Sequence, residues 1–162
     1  MLTVYRTVKA KYRNEPLSTE GARLFGSRWN PKSFPLLYTT SSPALALVEL
    51  LVHQPRVRYE KLPNLSLVTL AVPDSVIIYS PEQLPDYWNV ESYERTQWIL
   101  RDWLTQPATL AAAVPSVVVP MSYNYLIHPA HPDFSRIQII KAEPFPIERR
   151  LGQDEDRPAE NT

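Results

Sequence analysis

The 162-residue sequence contains no cysteine, which excludes a disulfide, a thiolate nucleophile and a cysteine-ligated zinc site. Only 3 glycines stand against 17 prolines, which argues against the glycine-rich loops that cradle phosphates. The 17 basic and 17 acidic residues give zero formal net charge, so a general electrostatic attraction to nucleic acid is not indicated. No apolar run approaches the roughly 20 residues of a membrane helix, and the first residues lack the pattern of a signal peptide. We therefore expect a cytoplasmic protein that binds neither membrane nor nucleic acid directly.

Length and composition predict one globular domain. The chain is long enough to bury a hydrophobic core, and 44% apolar and 21% charged residues are typical of a folded protein. We place this domain at residues 1–147. The segment 148–162 is rich in charged side chains and poor in apolar ones, which predicts a disordered tail.

Short segments rich in β-branched residues, many of them bounded by proline, predict an α+β fold of short, mostly antiparallel strands with a few helices. We predict strands at residues 2–6, 36–39, 65–72, 76–79, 114–120 and 136–142. Helices are predicted at residues 43–53, 92–104 and 107–113. The proline-rich segment 121–134 is predicted to be a long loop.

One carboxylate stands alone in an apolar helix. Ser42 as N-cap and Pro43 at the first helical position predict a helix that ends near His53. The helix is apolar nearly all round, so we expect it to be buried, with Glu49 inside the protein or lining a cleft. A carboxylate in such a place is paired or functional. Arg28 and Arg56 are the candidate partners.

Arg28 and Tyr38 precede this helix and are open to two interpretations each. Arg28 lies in Gly26-Ser27-Arg28-Trp29-Asn30, where two of the three glycines are close by and a sharp turn is expected. It is either a surface cation or a ligand of a phosphate or of Glu49. Tyr38 is either part of the core or a stacking platform for a planar ring.

Other polar residues give weaker signals. Ser116 lacks the Gly-x-Ser-x-Gly pattern of a hydrolase nucleophile, and we interpret it as a hydrogen-bonding residue of a pocket wall. His128, His131 and Asp133 lie among prolines without the spacing of a helical zinc motif, so no metal is expected. Asn124 and His131 are predicted to hold their loop by side-chain to backbone hydrogen bonds.

The ordered set of these residues resembles a known family. The set consists of Tyr5-Arg6, Gly26-Ser27-Arg28-Trp29-Asn30, Tyr38, the helix with Glu49 and His53, Val114-Pro115-Ser116, and the segment 124–134. It closely resembles the RES-domain family, named for its Arg, Glu and Ser, whose members are toxins of bacterial RES–Xre type II toxin–antitoxin pairs. The resemblance covers about residues 2–142, and it implies a fold like that of ADP-ribosyltransferase toxins and an activity on NAD+.

Carried over by position, the resemblance implies four catalytic residues: Arg28, Tyr38, Glu49 and Ser116. It implies that Glu49 stabilises the oxocarbenium ion or orients the attacking water or phosphate. Arg28 would hold the anionic part of NAD+ or position Glu49, Tyr38 would stack on nicotinamide, and Ser116 would form a hydrogen bond within the pocket. Arg6, Asn30 and Asn124 are further candidates for binding NAD+. NAD+ would then be a consumed substrate, with no cofactor and no metal.

The sequence departs from the usual residues of the family at two places. Gly26-Ser27 stands where the family often has Gly-Gly, and His128-Pro129 where it often has Asn-Pro.

Three functions are compatible with the sequence. The first hypothesis is a toxin that degrades NAD+ by hydrolysis or phosphorolysis, and the second is an ADP-ribosyltransferase acting on a protein. The third is a non-catalytic module that only docks the antitoxin, against which the intact set of catalytic residues argues. The expected partner is an Xre-type antitoxin that covers the pocket and supplies any contact with DNA. An oligomeric complex of toxin and antitoxin is compatible with this expectation.

Overall fold

The computed structural model describes residues 1–53 and 62–151, and it contains one seven-stranded sheet. The strands are β1 (Leu2–Lys9), β2 (Leu37–Thr40), β3 (Leu65–Val72), β4 (Val76–Ile78), β5 (Ala111–Pro115), β6 (Tyr123–Ile127) and β7 (Gln138–Pro144). Their order in the sheet is β4-β5-β6-β2-β1-β3-β7. Only β4 and β5 pair in parallel, and the other five pairings are antiparallel. The prediction of an α+β domain with short, mostly antiparallel strands is confirmed.

In the described part of the chain four α-helices accompany the sheet: α1 (Glu20–Phe25), α2 (Pro43–His53), α3 (Tyr93–Thr96) and α4 (Arg101–Thr105). Helix α2 has the predicted bounds. Its N-cap is also as predicted, because the Ser42 hydroxyl accepts a hydrogen bond from the Leu45 N–H at 3.1 Å. Short 3-10 turns occupy Ala10–Tyr12, Pro81–Gln83, Pro132–Arg136 and Arg149–Leu151. The last of these falls in the predicted tail, whose residues 152–162 lie outside the described part of the chain.

Alternating side chains of β5 and β6 enter two cores on opposite faces of the sheet. Ala111 and Ile127 belong to one buried cluster with Val4, Val68 and Leu70. Their neighbours Ala112, Val114 and Leu126 belong to a second cluster, in which the large side chains are Trp29, Trp88, Trp103 and Leu104. Because successive side chains of a strand point to opposite faces, a strand buried on both faces is apolar at every position.

Several predicted elements were wrong. Residues 107–110 are not helical, and 111–113 begin β5, which ends at Pro115 and does not reach residue 120. The predicted loop 121–134 contains β6, because Tyr123–Ile127 pairs with both β2 and β5. The predicted helix 92–104 is two short helices, α3 and α4, separated by a turn.

Helix α2 is also less buried than predicted. It packs on β1 and β2, and only Leu45 and Ala46 of its eleven residues are fully buried. The apolar side chains toward its C-terminus are partly exposed, and Val52 is 54% exposed. Glu49 therefore lies at the boundary between the helix–sheet interface and solvent. Among the described residues, no helix is long and apolar enough to cross a membrane.

Candidate functional site

The segment from Gly26 to Asn30 is a tight turn that only glycine can open. Gly26 ends α1 with φ of +68°, in the left-handed region that disfavours side chains. A Cβ atom at this position would lie 3.1 Å from both Asn30 O and Lys32 N. The turn is closed by a 2.9 Å hydrogen bond from Ser27 N to Asn30 O. The predicted sharp turn is therefore present, and it sets the place of Arg28.

Asn30 and Tyr38 hold this turn against β2. The fully buried Asn30 amide donates hydrogen bonds to Ala22 O and Phe34 O, both at 2.9 Å. Its Oδ1 accepts the Tyr38 hydroxyl proton at 2.6 Å, and the Tyr38 oxygen accepts from Trp29 N at 3.3 Å. Burial raises the pKa of Tyr38, so the hydroxyl stays protonated and keeps donating to Asn30. Asn30 thus organises the turn from below and is not among the residues that line the cavities described next.

Two cavities meet at Glu49. One, of about 310 Å³, is lined by Tyr5, Arg6 and Thr7 of β1, together with residues of β2 and α2. The other, of about 110 Å³, is lined by Arg28, Trp29 and Tyr93 and by Val117 and Val118. Both share five residues: Ser27, Tyr38, Glu49, His53 and Asn124. The carboxylate therefore stands on the boundary between a larger and a smaller compartment.

One oxygen of the Glu49 carboxylate is held by two hydrogen-bond donors. Ser116 Oγ donates to Glu49 Oε1 at 2.8 Å, and Asn124 Nδ2 donates to the same oxygen at 2.7 Å. The Ser116 oxygen itself accepts from Val118 N at 3.1 Å and Val119 N at 3.0 Å. Because these two amides fill its acceptor sites, the single hydroxyl proton is directed to Glu49.

The second oxygen of Glu49 is the one free for chemistry. Oε2 lies 3.6 Å from His53 Nε2, on the next turn of α2. Burial alone would raise the pKa of Glu49, but the interactions with His53, Asn124 and Ser116 outweigh it and hold the pKa below its ordinary value. Glu49 is therefore an ionised, oriented carboxylate at neutral pH.

Arg28 does not pair with Glu49, which corrects one of the predicted partners. Its Nη1 donates to Trp88 O at 3.2 Å and to Val90 O at 2.5 Å. Its guanidinium also lies over the Tyr93 ring, 5.2 Å from the centroid. Arg28 thus ties the segment before α3 to the wall of the smaller cavity. The other predicted partner, Arg56, lies outside the described residues.

Arg6 is a partly buried cation that lines the larger cavity. Among the described residues, no carboxylate lies within ion-pair distance of its guanidinium. Partial burial lowers the pKa of Arg6 to about 10, which still leaves it protonated at neutral pH. A partly desolvated guanidinium without a carboxylate partner, beside a cavity, is suited to binding an anion.

The structure brings most of the predicted site residues together. Glu49, Ser116 and Asn124 form one hydrogen-bonded group, and Tyr38 lines both cavities beside it. Arg6 lies in the wall of the larger cavity and Arg28 in the wall of the smaller one. Asn124 was predicted to hold its own loop, which was wrong, because its amide reaches Glu49 across the sheet. His53 was not predicted to be a site residue, although its i+4 spacing from Glu49 predicts that the two share a helix face.

The histidines of the segment 128–133 form hydrogen bonds with backbone groups. His128 is buried, and its Nε2 lies 3.0 Å from Leu104 O while its Nδ1 accepts from Ala130 N at 3.2 Å. His131 Nδ1 accepts from Asp133 N at 3.2 Å, as predicted for a residue that holds this loop. A third cavity, of about 520 Å³, lies at the far end of β1, and among the described residues that line it only Arg13 is ionisable. The chemically equipped cavities are thus the two at Glu49.

Known proteins resemble this chain in sequence and in fold. The RES-domain family profile matches residues 3–148. A Sphingobium protein named Prs ADP-ribosylating toxin is 36% identical over 146 residues, covering 86% of this chain and 89% of that protein. A protein named Toxin Res from Photorhabdus laumondii is 31% identical, covering 93% of this chain and 97% of the relative.

A solved structure shows the same fold. The M. tuberculosis MbcT–MbcA toxin–antitoxin complex contains a chain that superposes with a TM-score of 0.71 at 22% identity, covering 88% of this chain and 83% of that one. At this identity the similarity concerns the fold alone. The family assignment rests on the profile, which spans nearly all of the described residues, and on the curated relatives. The chain belongs to the RES-domain family of toxins.

Proposed function

We propose that this toxin is an enzyme that degrades NAD+ by breaking the bond between nicotinamide and ribose. The supporting observation is the ionised Glu49 carboxylate, held in one orientation by Ser116 and Asn124 at the boundary of two cavities. NAD+ is consumed in this reaction as a substrate and is not a recycled cofactor. The ADP-ribosyl group passes to water or phosphate.

The chemistry requires a negative charge close to the ribose. When the glycosidic bond breaks, positive charge develops on the ribose carbon and ring oxygen. A fixed carboxylate in a partly desolvated site stabilises that charge without reorganising. Glu49 meets this need through Oε2, because Oε1 is already engaged by two donors. Ser116 is a positioning residue in this scheme and not a nucleophile.

The linings of the two cavities suit the two halves of NAD+. The larger cavity is lined by the partly buried Arg6 cation, which suits the pyrophosphate of the ADP-ribose half. The smaller cavity has aromatic walls from Trp29, Tyr38 and Tyr93, which suit a flat nicotinamide ring. This seating places the scissile bond next to Glu49. Arg28 then shapes the nicotinamide side through its bonds to the Trp88 and Val90 carbonyls.

Nicotinamide release from NAD+ tests this function directly. Purified protein is incubated with NAD+, with and without phosphate, and nicotinamide is measured with time. We expect release by the wild type and a loss of at least about 100-fold in Glu49→Gln, since oriented electrostatic stabilisation is commonly worth this much. Glu15→Gln, at an exposed carboxylate that lines neither cavity, is the matched control and should retain full activity. A folded wild type that releases no nicotinamide, or a fully active Glu49→Gln, would contradict the proposal.

Transfer of ADP-ribose to a protein is the second candidate, and the name of the 36% identical Sphingobium relative favours it. The same residues would cleave NAD+, and only the acceptor would differ. Labelled NAD+ added to a cell lysate separates the two functions, because transfer produces a labelled protein band and degradation does not.

An antitoxin partner of the Xre type belongs to the same proposal. The M. tuberculosis structure with this fold is that of a toxin–antitoxin complex. Here His53 and Val52 are exposed at the edge of the smaller cavity, so a partner covering this edge would close the route to Glu49. Contact with DNA would be made by the antitoxin.

A further inference from the structure

We propose that His53 is the residue on the acceptor side of the reaction and that it takes the proton from the attacking hydroxyl group. This inference rests on the proposed cleavage of NAD+. The C1′–nitrogen bond breaks with its electron pair going to the nicotinamide nitrogen, which loses its positive charge. The acceptor oxygen forms a bond to C1′, and its proton passes to His53 Nε2 and then to solvent. The acceptor is water, or an alcohol in its place.

The position of His53 supports this role. It is the last residue of α2 and lines both cavities, and its Nε2 is 3.6 Å from Glu49 Oε2, the oxygen that Ser116 and Asn124 leave free. The imidazole is 59% exposed, whereas the Glu49 side chain is 18% exposed. An acceptor arriving from solvent would therefore meet His53 at the same point where it reaches the ribose carbon beside Glu49.

The other groups at the site are unsuited to removing this proton. The Ser116 hydroxyl and the Tyr38 hydroxyl are both committed as donors, to Glu49 and Asn30 respectively. Glu49 has a lowered pKa and faces the developing positive charge, which makes it a weak base. Among the described residues, the remaining titratable groups that line the two cavities are phenols or guanidinium cations: Tyr5, Arg6, Arg28 and Tyr93. Imidazole is the side chain in this set that is chemically suited to removing a proton near neutral pH.

Phosphate provides the decisive comparison because its dianion attacks without losing a proton. Wild type, His53→Gln and His53→Ala are compared with NAD+ in phosphate buffer, and ADP-ribose and its 1-phosphate are quantified separately. We expect His53→Gln to lower hydrolysis by at least about tenfold, within the range for a general base. Phosphorolysis should change by less than about twofold. Added imidazole should restore hydrolysis in His53→Ala, and His131→Gln, outside both cavities, should leave the product ratio unchanged.

The outcomes separate this inference from the function on which it rests. A purely structural role for His53 at the end of α2 would lower both products together and would not respond to imidazole. Equal loss of both products, no loss of either, or a wild type that forms only the phosphorylated product overturns the assignment of His53 while NAD+ cleavage stands. A wild type that releases no nicotinamide overturns both.

Discussion

Ser116 has a hydroxyl group whose hydrogen bonds are all assigned, and this decides what the residue can do. Two backbone amides supply its acceptor contacts, and its proton goes to Glu49 Oε1. Ser116 therefore links the backbone amides of Val118 and Val119 to the carboxylate through a chain of hydrogen bonds. A serine in this state has no free lone pair with which to attack a substrate, so its effect on the reaction passes through the ionisation and orientation of Glu49.

Ser116→Ala should move the acid limb of the pH–activity profile upward. The interactions around Glu49 hold its pKa below the ordinary value of 4.5, so the carboxylate is ionised above that pH and loses its charge, and its contribution to stability, as the pH falls through its lowered pKa. Removing one donor raises that pKa, and activity should then begin to fall at a higher pH.

Nicotinamide release measured from pH 3.5 to 8 checks this shift. The variant also leaves two amides without their acceptor, which should cost about 1–3 kcal/mol of stability in a denaturant titration. Ser135→Ala, an exposed serine in the Pro132–Arg136 turn, is the control for stability and activity. An acid limb at the same pH in Ser116→Ala and wild type would show that Ser116 does not tune Glu49.

At the scale of elements, the turn between α1 and β2 connects the sheet to the smaller cavity. Gly26 has the positive φ that a side chain disfavours, and its missing Cβ leaves room for two backbone atoms. Gly21 offers a natural comparison within the same element, because it lies inside α1 and a Cβ there would meet nothing within 4 Å.

Gly26→Ala should therefore damage the fold and the site, whereas Gly21→Ala should not. We expect Gly26→Ala to lose about 1–3 kcal/mol of stability from backbone strain and to lower nicotinamide release by displacing Arg28 and Trp29. Gly21→Ala should be neutral or up to about 1 kcal/mol more stable, since alanine favours a helix. Thermal melts and activity assays on both variants test this. Equal behaviour of the two variants would mean that Gly26 is not required by the turn.

Local signals predicted α2 and β3 with their observed bounds, because a capping serine, an N1 proline and an apolar β-branched run act within a few residues. The same kind of reasoning was wrong for 107–113. There Ala111–Ala113 has high helix propensity, yet pairing with β4 and β6 makes it a buried strand. The prolines around β6 indicated a loop, but its backbone bonds are made with β2 and β5.

Long-range contacts explain the remaining differences at the site. The sequence indicated that Glu49 is a carboxylate that needs partners. Tyr38, Ser116 and Asn124, which lie around it in the structure, were already candidate site residues. It did not predict that Asn124, 75 positions away, would share Oε1 with Ser116, or that Arg28 would bond to the Trp88 and Val90 carbonyls. These pairings depend on strand order, which no local pattern encodes. Because β6 lies between β5 and β2, its Asn124 comes close to both Ser116 after β5 and Glu49 on α2.

For the whole molecule, the open question is how much of the chain the RES domain needs. Burial of apolar side chains extends to Ile147, which is 8% exposed, and Phe145 N donates to Leu65 O at 2.9 Å. Residues 143 and 144 also complete the pairing of β7 with Leu67 and Ser66 of β3. The family profile ends at 148, close to the proposed domain end at residue 147. The segment from 143 to 147 therefore belongs to the fold through both packing and hydrogen bonds.

Two shortened chains test this boundary. A chain that ends at Leu151 keeps all of these contacts and should match the full chain in melting temperature and nicotinamide release. A chain that ends at Ala142 loses the end of β7 and the burial of Ile147, which alone is worth about 1.5–3 kcal/mol for a side chain of this size. Its melting temperature should fall by several degrees, since about 1 kcal/mol shifts the midpoint by a few degrees in a domain of this length. If the chain ending at Leu151 were less stable than the full chain, or lost activity, the domain would have to include residues beyond 151, and the proposed boundary would be wrong.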